Sequence, residues 1–192
     1  MILEGIVTSV SSSGEINVAP MGPIVDESMK ELVLRPYKTS RTYQNLREKP
    51  QGVLHVTDDV LLLAKAAIGE LEPLPKMIPA EKVSGWVLES TCRWYEFEIA
   101  SLDDSQDRTH IQANVVHRGW RRDFFGFNRA KHAVVEAAIL ATRIHIVPRD
   151  EILSELERLR IPVQKTAGPS ETEAFDLLLT YVSRIVDSTP DS

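Results

Sequence analysis

The sequence predicts an α+β fold, with a β-rich first part followed by a helical C-terminal part. Over about the first 120 residues, short runs of strand-forming residues alternate with turn-forming clusters. Beyond Gly126 the apolar residues recur at helical spacing instead. The chain has 192 residues, of which 43% are hydrophobic, and this is enough for one main domain with its own core. The number of predicted strands and their short connections favour a barrel or a sandwich for the first part.

The β-rich part is predicted to begin with a hairpin. Segments 2–10 and 15–19 are predicted strands, and the serine-rich segment 11–14 between them is the predicted turn. Further strands are predicted at 31–37, 52–56, 93–99 and 110–117. In segment 93–99, Tyr95, Phe97 and Ile99 alternate with Glu96 and Glu98. This pattern predicts a half-buried strand with both glutamates on the solvent side.

One helix is predicted inside the β-rich part. Thr57-Asp58-Asp59 opens a helix over 60–68, because aspartate side chains cap free N–H groups, and Gly69 ends it. The proline-rich segment 72–80 that follows is predicted to be a surface loop.

Three further helices are predicted after Gly126. Asn128 caps a helix to about residue 143, Asp150 one to about 160, and Ser170 one to about 186. Ser170 and Glu173 also have the spacing of a reciprocal capping box. We therefore predict a β-rich domain over 1–125, a helical subdomain over 126–187 and a tail over 188–192.

The charge distribution favours a small anionic ligand. The net charge is −6, yet basic residues gather in segments 35–49 and 117–149. An acidic chain with two local basic segments suits a small anion better than a long polyanion, which disfavours nucleic acid. No apolar run approaches the roughly 20 residues of a membrane span, so a membrane partner is not expected. The one cysteine, Cys92, cannot form an internal disulfide, and this predicts a cytoplasmic protein.

The first candidate binding element is the turn at Pro20, Met21 and Gly22. Proline fixes the backbone and lacks an N–H, and Gly22 has no side chain, so a flat ligand could approach the backbone here. A plain inter-strand turn is the alternative, because proline and glycine are ordinary turn residues.

The second candidate is the polar segment that contains Ser40, Arg41, Thr42 and Asn45. Hydroxyl groups and a guanidinium donate hydrogen bonds to phosphate oxygens, so this composition suits a phosphate group. The alternative is a polar loop with a helix cap at Ser40 or Thr42.

The third candidate is the helix start at Asn128, Arg129, Lys131 and His132. A helix N-terminus carries partial positive charge and favours acidic residues, yet three basic residues gather at this one. A bound anion would reverse the sign of that interaction. The alternative is a salt bridge to acidic neighbours elsewhere in the fold.

No catalytic residue and no metal site are predicted. The five histidines have no metal-ligand spacing, and no cysteine cluster accompanies them. The phosphate-binding, dinucleotide-binding and nucleophile-elbow glycine motifs are all absent from the sequence. Segment 117–122 mixes basic and aromatic residues as nucleic-acid sites do, but it is short.

Several of these motifs together resemble a known family. They are Asn17-Val18-Ala19-Pro20, Leu34-Arg35-Pro36, the segment from Ser40 to Leu46, Thr57-Asp58-Asp59 and the segment from Gly126 to Ala133. The combination resembles an uncharacterised, archaeal-type family of FMN-binding split-barrel proteins, which are flavin-reductase-like and carry a helical C-terminal part.

This resemblance implies a six-stranded split barrel that forms a homodimer and binds FMN near the subunit interface. Pro20, Met21 and Gly22 would lie against the isoalloxazine ring, and Ser40, Arg41, Thr42 and Asn45 would hold the phosphate end. The helix-start argument adds Asn128, Arg129, Lys131 and His132 as a second anion-holding element.

The sequence departs from flavin reductases at two motifs. Met21-Gly22-Pro23 stands where they have a serine soon after the proline, and their Gly-Asp-His motif is missing. The resemblance therefore implies FMN binding, with a flavin-dependent oxidoreductase of unassigned substrate as its enzymatic form, and does not extend to a nicotinamide donor. The alternative function is a non-catalytic module that binds another phosphorylated ligand, or nucleic acid, through the same basic loops. A third possibility is that these loops form subunit contacts without a ligand.

Overall fold

The computed structural model describes residues 1–188 and contains two compact units. Residues 1–57 and 74–124 form the first unit, and residues 58–73 with those from 125 onward form the second. The first unit contains one helix and eight strands: β1 (Gly5–Val10), β2 (Ile16–Met21), β3 (Glu31–Leu34), α1 (Arg41–Glu48), β4 (Gln51–Val56), β5 (Met77–Pro79), β6 (Trp86–Leu88), β7 (Arg93–Asp103) and β8 (His110–Trp120).

Six of these strands form one antiparallel sheet in the order β2-β1-β4-β7-β8-β3. The segment around Ile24 closes this sheet into a barrel. Ile24 bridges both to Val33 in β3 and to Ile2 just before β1. The Leu3 N–H also donates to the Pro23 carbonyl at 3.1 Å. The predicted hairpin of β1 and β2 is confirmed, and the barrel rather than the sandwich is observed.

One face of the sheet encloses the barrel core. Register places Val7, Leu54 and Tyr95 side by side on that face, and all three belong to the buried core cluster. Tyr43 and Leu46 of α1 belong to the same cluster, so α1 covers part of the barrel interior. The predicted strand at 31–37 is shorter than expected, because β3 ends at Leu34.

A second layer covers the outer face of the barrel. Strands β5 and β6 pair with each other, so the prediction of a loop over all of 72–80 was wrong at Met77–Pro79. Pro79 is tolerated because both strands of a two-stranded sheet are edge strands. The missing proline N–H can face away from the partner strand there, so no hydrogen bond between the strands is lost. Val53 and Trp94 from the barrel pack against Val83 and Val87 of this layer.

Glu96 is buried beneath the outer layer, which corrects its predicted solvent position. The side chain of Glu96 is fully buried. Its carboxylate accepts hydrogen bonds from the backbone N–H groups of Glu81, Lys82 and Val83 and from the Trp94 indole, at 2.6 to 3.1 Å. Alternation correctly placed Glu96 opposite the barrel core, but it could not show that another layer covers that face.

Gly119 is required by the packing of Trp94. The register places the two residues opposite each other on β7 and β8, and a Cβ at Gly119 would overlap the Trp94 indole ring. Gly119→Ala is therefore expected to lower the free energy of unfolding by about 1–3 kcal/mol, because the ring must move in a packed core. Chemical denaturation measures this, with Gly85→Ala as the control, since a Cβ there meets nothing closer than 3.3 Å. Equal losses in both variants would contradict the overlap argument.

The second unit is a helical bundle. Its helices are α2 (Val60–Ala67), α3 (Arg129–Thr142), α4 (Arg149–Thr166) and α5 (Pro169–Ser188). The predicted caps of α2 and α3 are confirmed: Asp59 accepts from the Leu62 N–H, and Asn128 accepts from the Lys131 N–H. No helix within residues 1–188 combines the length and apolar character needed to cross a membrane.

The predicted caps of the last two helices were wrong. Pro148, not Asp150, precedes α4, and that helix continues through Pro162 to Thr166. Ser170 lies inside α5, and the Glu171 carboxylate accepts from the Gly168 N–H at 2.9 Å. The acidic half of a capping box is thus present, shifted two residues toward the N-terminus. Of the predicted tail, only Ser188 is described, as the last residue of α5, and 189–192 lie outside the described residues.

Candidate functional site

Helix α1 runs beside β2 and covers only part of it. Thr42 contacts Asn17, Asn45 contacts Ser9, and Glu48 contacts Ser12 in the hairpin turn. Asn17 and Ser9 are partners in the register, so Thr42 and Asn45 contact the hairpin at one level, and Glu48 contacts it nearer the turn. Asn17, Ala19 and Met21 alternate onto one face of the strand. A strip of that face from Ala19 to Met21 therefore continues beyond the start of α1.

The N-terminus of α1 has free capacity for an anion. Ser40 caps the helix, accepting from the Tyr43 N–H at 3.2 Å and donating to the Tyr37 carbonyl at 2.7 Å. The first-turn N–H groups of Arg41 and Thr42 have no carbonyl partner inside the helix, as at every helix start. The first turn contains no acidic residue. The predicted alternative of a cap at Ser40 is thus observed, and a cap leaves the remaining N–H groups available to a ligand.

Four cations lie on the segments next to this helix start. Arg35 and Lys38 precede it, Arg41 opens it, and Arg108 is bridged to Tyr37 by backbone pairing. The Arg108 guanidinium lies 5.8 Å from the centre of the Tyr37 ring and donates to the Arg35 carbonyl at 3.4 Å. The Arg35 Nε is buried and has no hydrogen-bond partner among the described residues. An unpaired buried donor in a basic cluster fits an anionic group that is bound there.

Thr42 and Asn45 have structural hydrogen bonds. Both residues are buried, and the Thr42 hydroxyl accepts from the Asn17 amide at 3.1 Å. The Asn45 amide donates to the Ser9 hydroxyl, also at 3.1 Å. These contacts attach α1 to the hairpin. Arg41 is instead exposed, with a long 3.9 Å approach to Glu15, so its guanidinium is available to a ligand.

Met21 lies at the far end of the strip, with Pro20 before it on the opposite face of β2 and Gly22 just after the strand. Pro20 and Met21 are the last residues of β2, so the strand continues where a turn was predicted. Met21 packs against the barrel core cluster from a partly exposed position. A Cβ at Gly22 would lie 2.9 Å from Ile2 and 3.1 Å from Glu4, so neighbouring side chains account for this glycine.

The predicted anion site at the start of α3 is largely occupied by the protein itself. The Lys131 ammonium donates to the Asp58 carbonyl at 2.6 Å and pairs with Glu171 at 3.1 Å. The Thr166 hydroxyl accepts from the Ala130 N–H at 3.0 Å. The alternative of a salt bridge to an acidic neighbour is therefore the arrangement observed for Lys131.

The other three residues of this predicted site differ in their contacts. Arg129 and His132 are exposed. The Asn128 side chain caps the helix and donates to the Thr166 carbonyl. These residues belong to the helical unit.

The structure adds Arg35, Lys38 and Arg108 to the predicted site. Arg35 and Lys38 were visible as part of the basic segment 35–49. Arg108 lies in the loop between β7 and β8, and only the pairing of that loop with Tyr37 brings it to the cluster. Among residues 1–188, no group of three or more histidine, cysteine or acidic side chains could hold a metal ion.

The antiparallel barrel, with a helix across its interior and a basic cluster at that helix start, has the fold of the flavin reductase-like split barrels. The chain belongs to the family described as protein of unknown function DUF447, whose N-terminal domain matches residues 3–122 and whose C-terminal part matches residues 128–180. Both the predicted fold class and the family resemblance are confirmed.

Solved structures share this fold. An FMN-bound DUF447 protein from Methanosarcina mazei is 22% identical, covers 94% of each chain and has a TM-score of 0.79. The 2-nitrobenzoate 2-nitroreductase of Pseudomonas fluorescens is 18% identical over 62% of this chain and 64% of its own, with a TM-score of 0.52. Component B of nitrilotriacetate monooxygenase from Bacillus cereus is 20% identical over 62% of this chain and 70% of its own, with a TM-score of 0.51. No curated protein matches the chain.

Proposed function

We propose that this protein binds FMN, with the phosphate at the start of α1 and the ring along the strip toward Met21. The observation that carries the proposal is the basic cluster at that helix start, where the buried Arg35 Nε has no partner. The FMN-bound member of the same family and the flavin-reductase-like neighbours support the choice of ligand. An elongated ligand with one charged end and one flat end fits a strip that leads from cations to an apolar strand face.

The residues have separate tasks in this proposal. Arg41, Lys38 and Arg35 neutralise the phosphate, and the first-turn N–H groups of α1 add hydrogen bonds to it. Thr42 and Asn45 hold α1 in place against the hairpin, and Ser40 caps its N-terminus. Pro20 offers no N–H at the strand end, and Met21 supplies a soft, polarizable contact for a flat ring. When bound, FMN supplies the electron-transfer chemistry, and the protein binds and orients it.

We further propose a flavin-dependent oxidoreductase that acts as a homodimer in the cytoplasm. The flavin-reductase-like neighbours favour the oxidoreductase, and the family resemblance favours the dimer. The sequence has one cysteine and therefore no internal disulfide, which suits a reducing compartment. No residue of the site is assigned as a general acid or nucleophile, so the electron chemistry is attributed to the flavin.

The test compares FMN with riboflavin, which lacks the phosphate. The wild-type protein is expected to retain FMN after desalting and to prefer it to riboflavin. Lys38→Ala/Arg41→Ala is expected to weaken FMN binding by about tenfold or more, because each charge-assisted hydrogen bond contributes on the order of 1.4 kcal/mol. Riboflavin affinity should change little. Flavin fluorescence titration measures both constants.

Arg129→Ala is the matched control, since it removes one exposed arginine from the first turn of another helix. It is expected to leave both affinities unchanged. A wild-type protein that binds neither flavin would refute the proposed function. If the double variant still prefers FMN to riboflavin by the same factor as the wild-type protein, the proposed position of the phosphate is wrong. The proposal that the protein binds a flavin would still stand.

A further inference from the structure

A recess lies at one end of the barrel, between the ends of β7 and β8. Its volume is about 400 Å³, and the residues that line it are Arg93, Tyr95, Arg118, Gly119 and Trp120. We call it the β7–β8 recess. None of these residues was among the predicted binding residues, although Arg118, Gly119 and Trp120 belong to segment 117–122, which mixes basic and aromatic residues.

Strand register explains how these side chains meet. Arg93 lies opposite Trp120, and Tyr95 lies opposite Arg118. Residues directly opposite each other point to the same face, and so do residues two apart on one strand. All four therefore share the face of Tyr95, which is part of the barrel core. The recess thus consists of two arginines and a tryptophan at the barrel end, with Tyr95 as its buried floor.

The two guanidinium groups have no protein counter-charge. Among residues 1–188, neither the Arg93 nor the Arg118 side chain has an ion pair or a hydrogen bond. Three arginines of the helical unit are instead paired with acidic residues: Arg158 with Glu155 at 2.7 Å, Arg160 with Glu157 at 2.9 Å and Arg184 with Glu70 at 2.7 Å. Two unpaired like charges on adjacent strands repel each other, and a bound anion removes that repulsion.

The aromatic groups indicate a flat ligand. Trp120 is 57% exposed, although a tryptophan gains from burial and is rarely left open without a partner. Tyr95 is only 8% exposed, so it is fixed in place below. Guanidinium planes and indole rings both stack on aromatic faces. The arrangement fits one molecule that has an aromatic ring and an anionic group.

We propose that the β7–β8 recess binds a small aromatic anion, with the anionic group on Arg93 and Arg118 and the ring on Trp120. This is a second site, apart from the proposed phosphate position at α1. In the sheet register, Met21 lies opposite Gly5 on β2 and β1, and Val56, Arg93 and Trp120 lie opposite one another on β4, β7 and β8. The pairing of β1 with β4 ends one residue short of joining these two sets, at Ile6 and His55. That relation to the flavin strip rests on the proposed function, whereas the binding of the anion does not.

The test uses 4-nitrophenyl phosphate as the probe, with FMN-saturated protein and with apo protein. Isothermal titration calorimetry measures its affinity beside those of inorganic phosphate and 4-nitrophenol. The intact probe is expected to bind at least about tenfold more tightly than either half, because ring and anion contribute together. Arg93→Ala/Arg118→Ala and Trp120→Ala should each weaken it by about tenfold or more, while FMN retention stays at the wild-type level.

Arg121→Ala is the matched control, because Arg121 follows Trp120 directly, is exposed and does not line the recess. It should leave probe affinity unchanged. Unchanged affinity in the recess variants overturns the proposal, and so does a probe that binds no better than inorganic phosphate.

Two other results overturn it for different reasons. Loss of FMN in Arg93→Ala/Arg118→Ala, with competition between probe and FMN, would make the recess the flavin site itself. A change of oligomeric state in that variant on size-exclusion chromatography would make it a subunit contact. If wild-type protein fails to bind FMN, probe affinity in the apo protein still decides the proposal on its own.

Discussion

Glu96→Ala is expected to lower the free energy of unfolding by about 5 kcal/mol, because it leaves buried donors without an acceptor. The carboxylate accepts from three consecutive backbone N–H groups and from the Trp94 indole. Each buried donor without a partner costs about 1–3 kcal/mol. A loss of this size is a large share of the stability of an ordinary domain, so much of the variant should be unfolded at 37 °C. Thermal and urea denaturation measure the change.

Glu98→Ala is the matched control on the same strand, since Glu98 is exposed and its one side-chain hydrogen bond is with Gln51. Its effect should stay within about 0.5 kcal/mol. The loss of stability in Glu96→Gln should lie between those of the two alanine variants. The amide keeps one acceptor oxygen, but its NH₂ group is a donor that faces other donors. If Glu96→Ala lost no more stability than Glu98→Ala, the carboxylate of Glu96 would not be what holds segment 81–83 in place, and the prediction would be wrong.

The stability of the protein is expected to fall by about 2 kcal/mol between pH 7 and pH 5, and His55 is the cause. His55 is fully buried, and burial lowers its pKa from 6.5 to about 4, against a smaller opposing effect of the Ile6 carbonyl. Its Nδ1 lies 3.1 Å from that carbonyl, and its Nε2 accepts from the Leu88 N–H at 3.1 Å. The Leu88 contact requires a neutral ring with the proton on Nδ1.

The sign follows from the two pKa values. The unfolded chain takes up a proton near pH 6.5 and the folded chain only near pH 4, so protonation favours unfolding between them. The contribution is complete above pH 6.5 and is lost as the pH falls toward 4. Glu96 adds acid sensitivity at lower pH: burial alone would raise its pKa, but its four hydrogen bonds outweigh this and the net pKa is lowered from 4.5.

Denaturation at pH 7, 6 and 5 tests the histidine separately from Glu96. His110→Gln is the control, because it replaces an exposed histidine and leaves the buried His55 in place. Nuclear magnetic resonance gives an independent measurement, because the His55 ring should remain neutral at pH 5. A His55 ring that protonates near pH 6.5 in the folded protein would contradict the prediction.

The sequence predicted the elements with strong local signals and missed those that depend on distant contacts. The hairpin turn at 11–14 and the caps Asp59 and Asn128 were found because their chemistry is complete within a few residues. Asp150 and Ser170 were chosen as caps by residue type, whereas Pro148 and Gly168 precede the helices. The pairing of β5 was hidden because it has three residues and includes Pro79.

The candidate site was predictable in the same uneven way. Ser40 and Arg41 were identified from composition, and the structure places them at the start of a helix beside β2. Asn128 and Lys131 were selected because basic residues at a helix start are unfavourable, but Glu171, 40 residues further along, supplies the compensation. Arg93, Arg118 and Trp120 come together only through the register of β7 and β8, with its irregularity near Phe97, and alternation within one segment cannot give this.

The order of the helices along the chain has a consequence for synthesis on the ribosome. Helix α2 follows β4 directly, yet it packs with α3 and α5 in the bundle, and α5 begins only at Pro169. Leu62, Leu63 and Ala64 are buried in the finished protein. During translation their contacts with α5 cannot form until about a hundred more residues have emerged, which takes on the order of 5–20 seconds at usual elongation rates. The bundle therefore cannot close around α2 until α5 has emerged, and a nascent chain that stalls inside α4 leaves α2 without its contacts to α5 and open to chaperones and proteases.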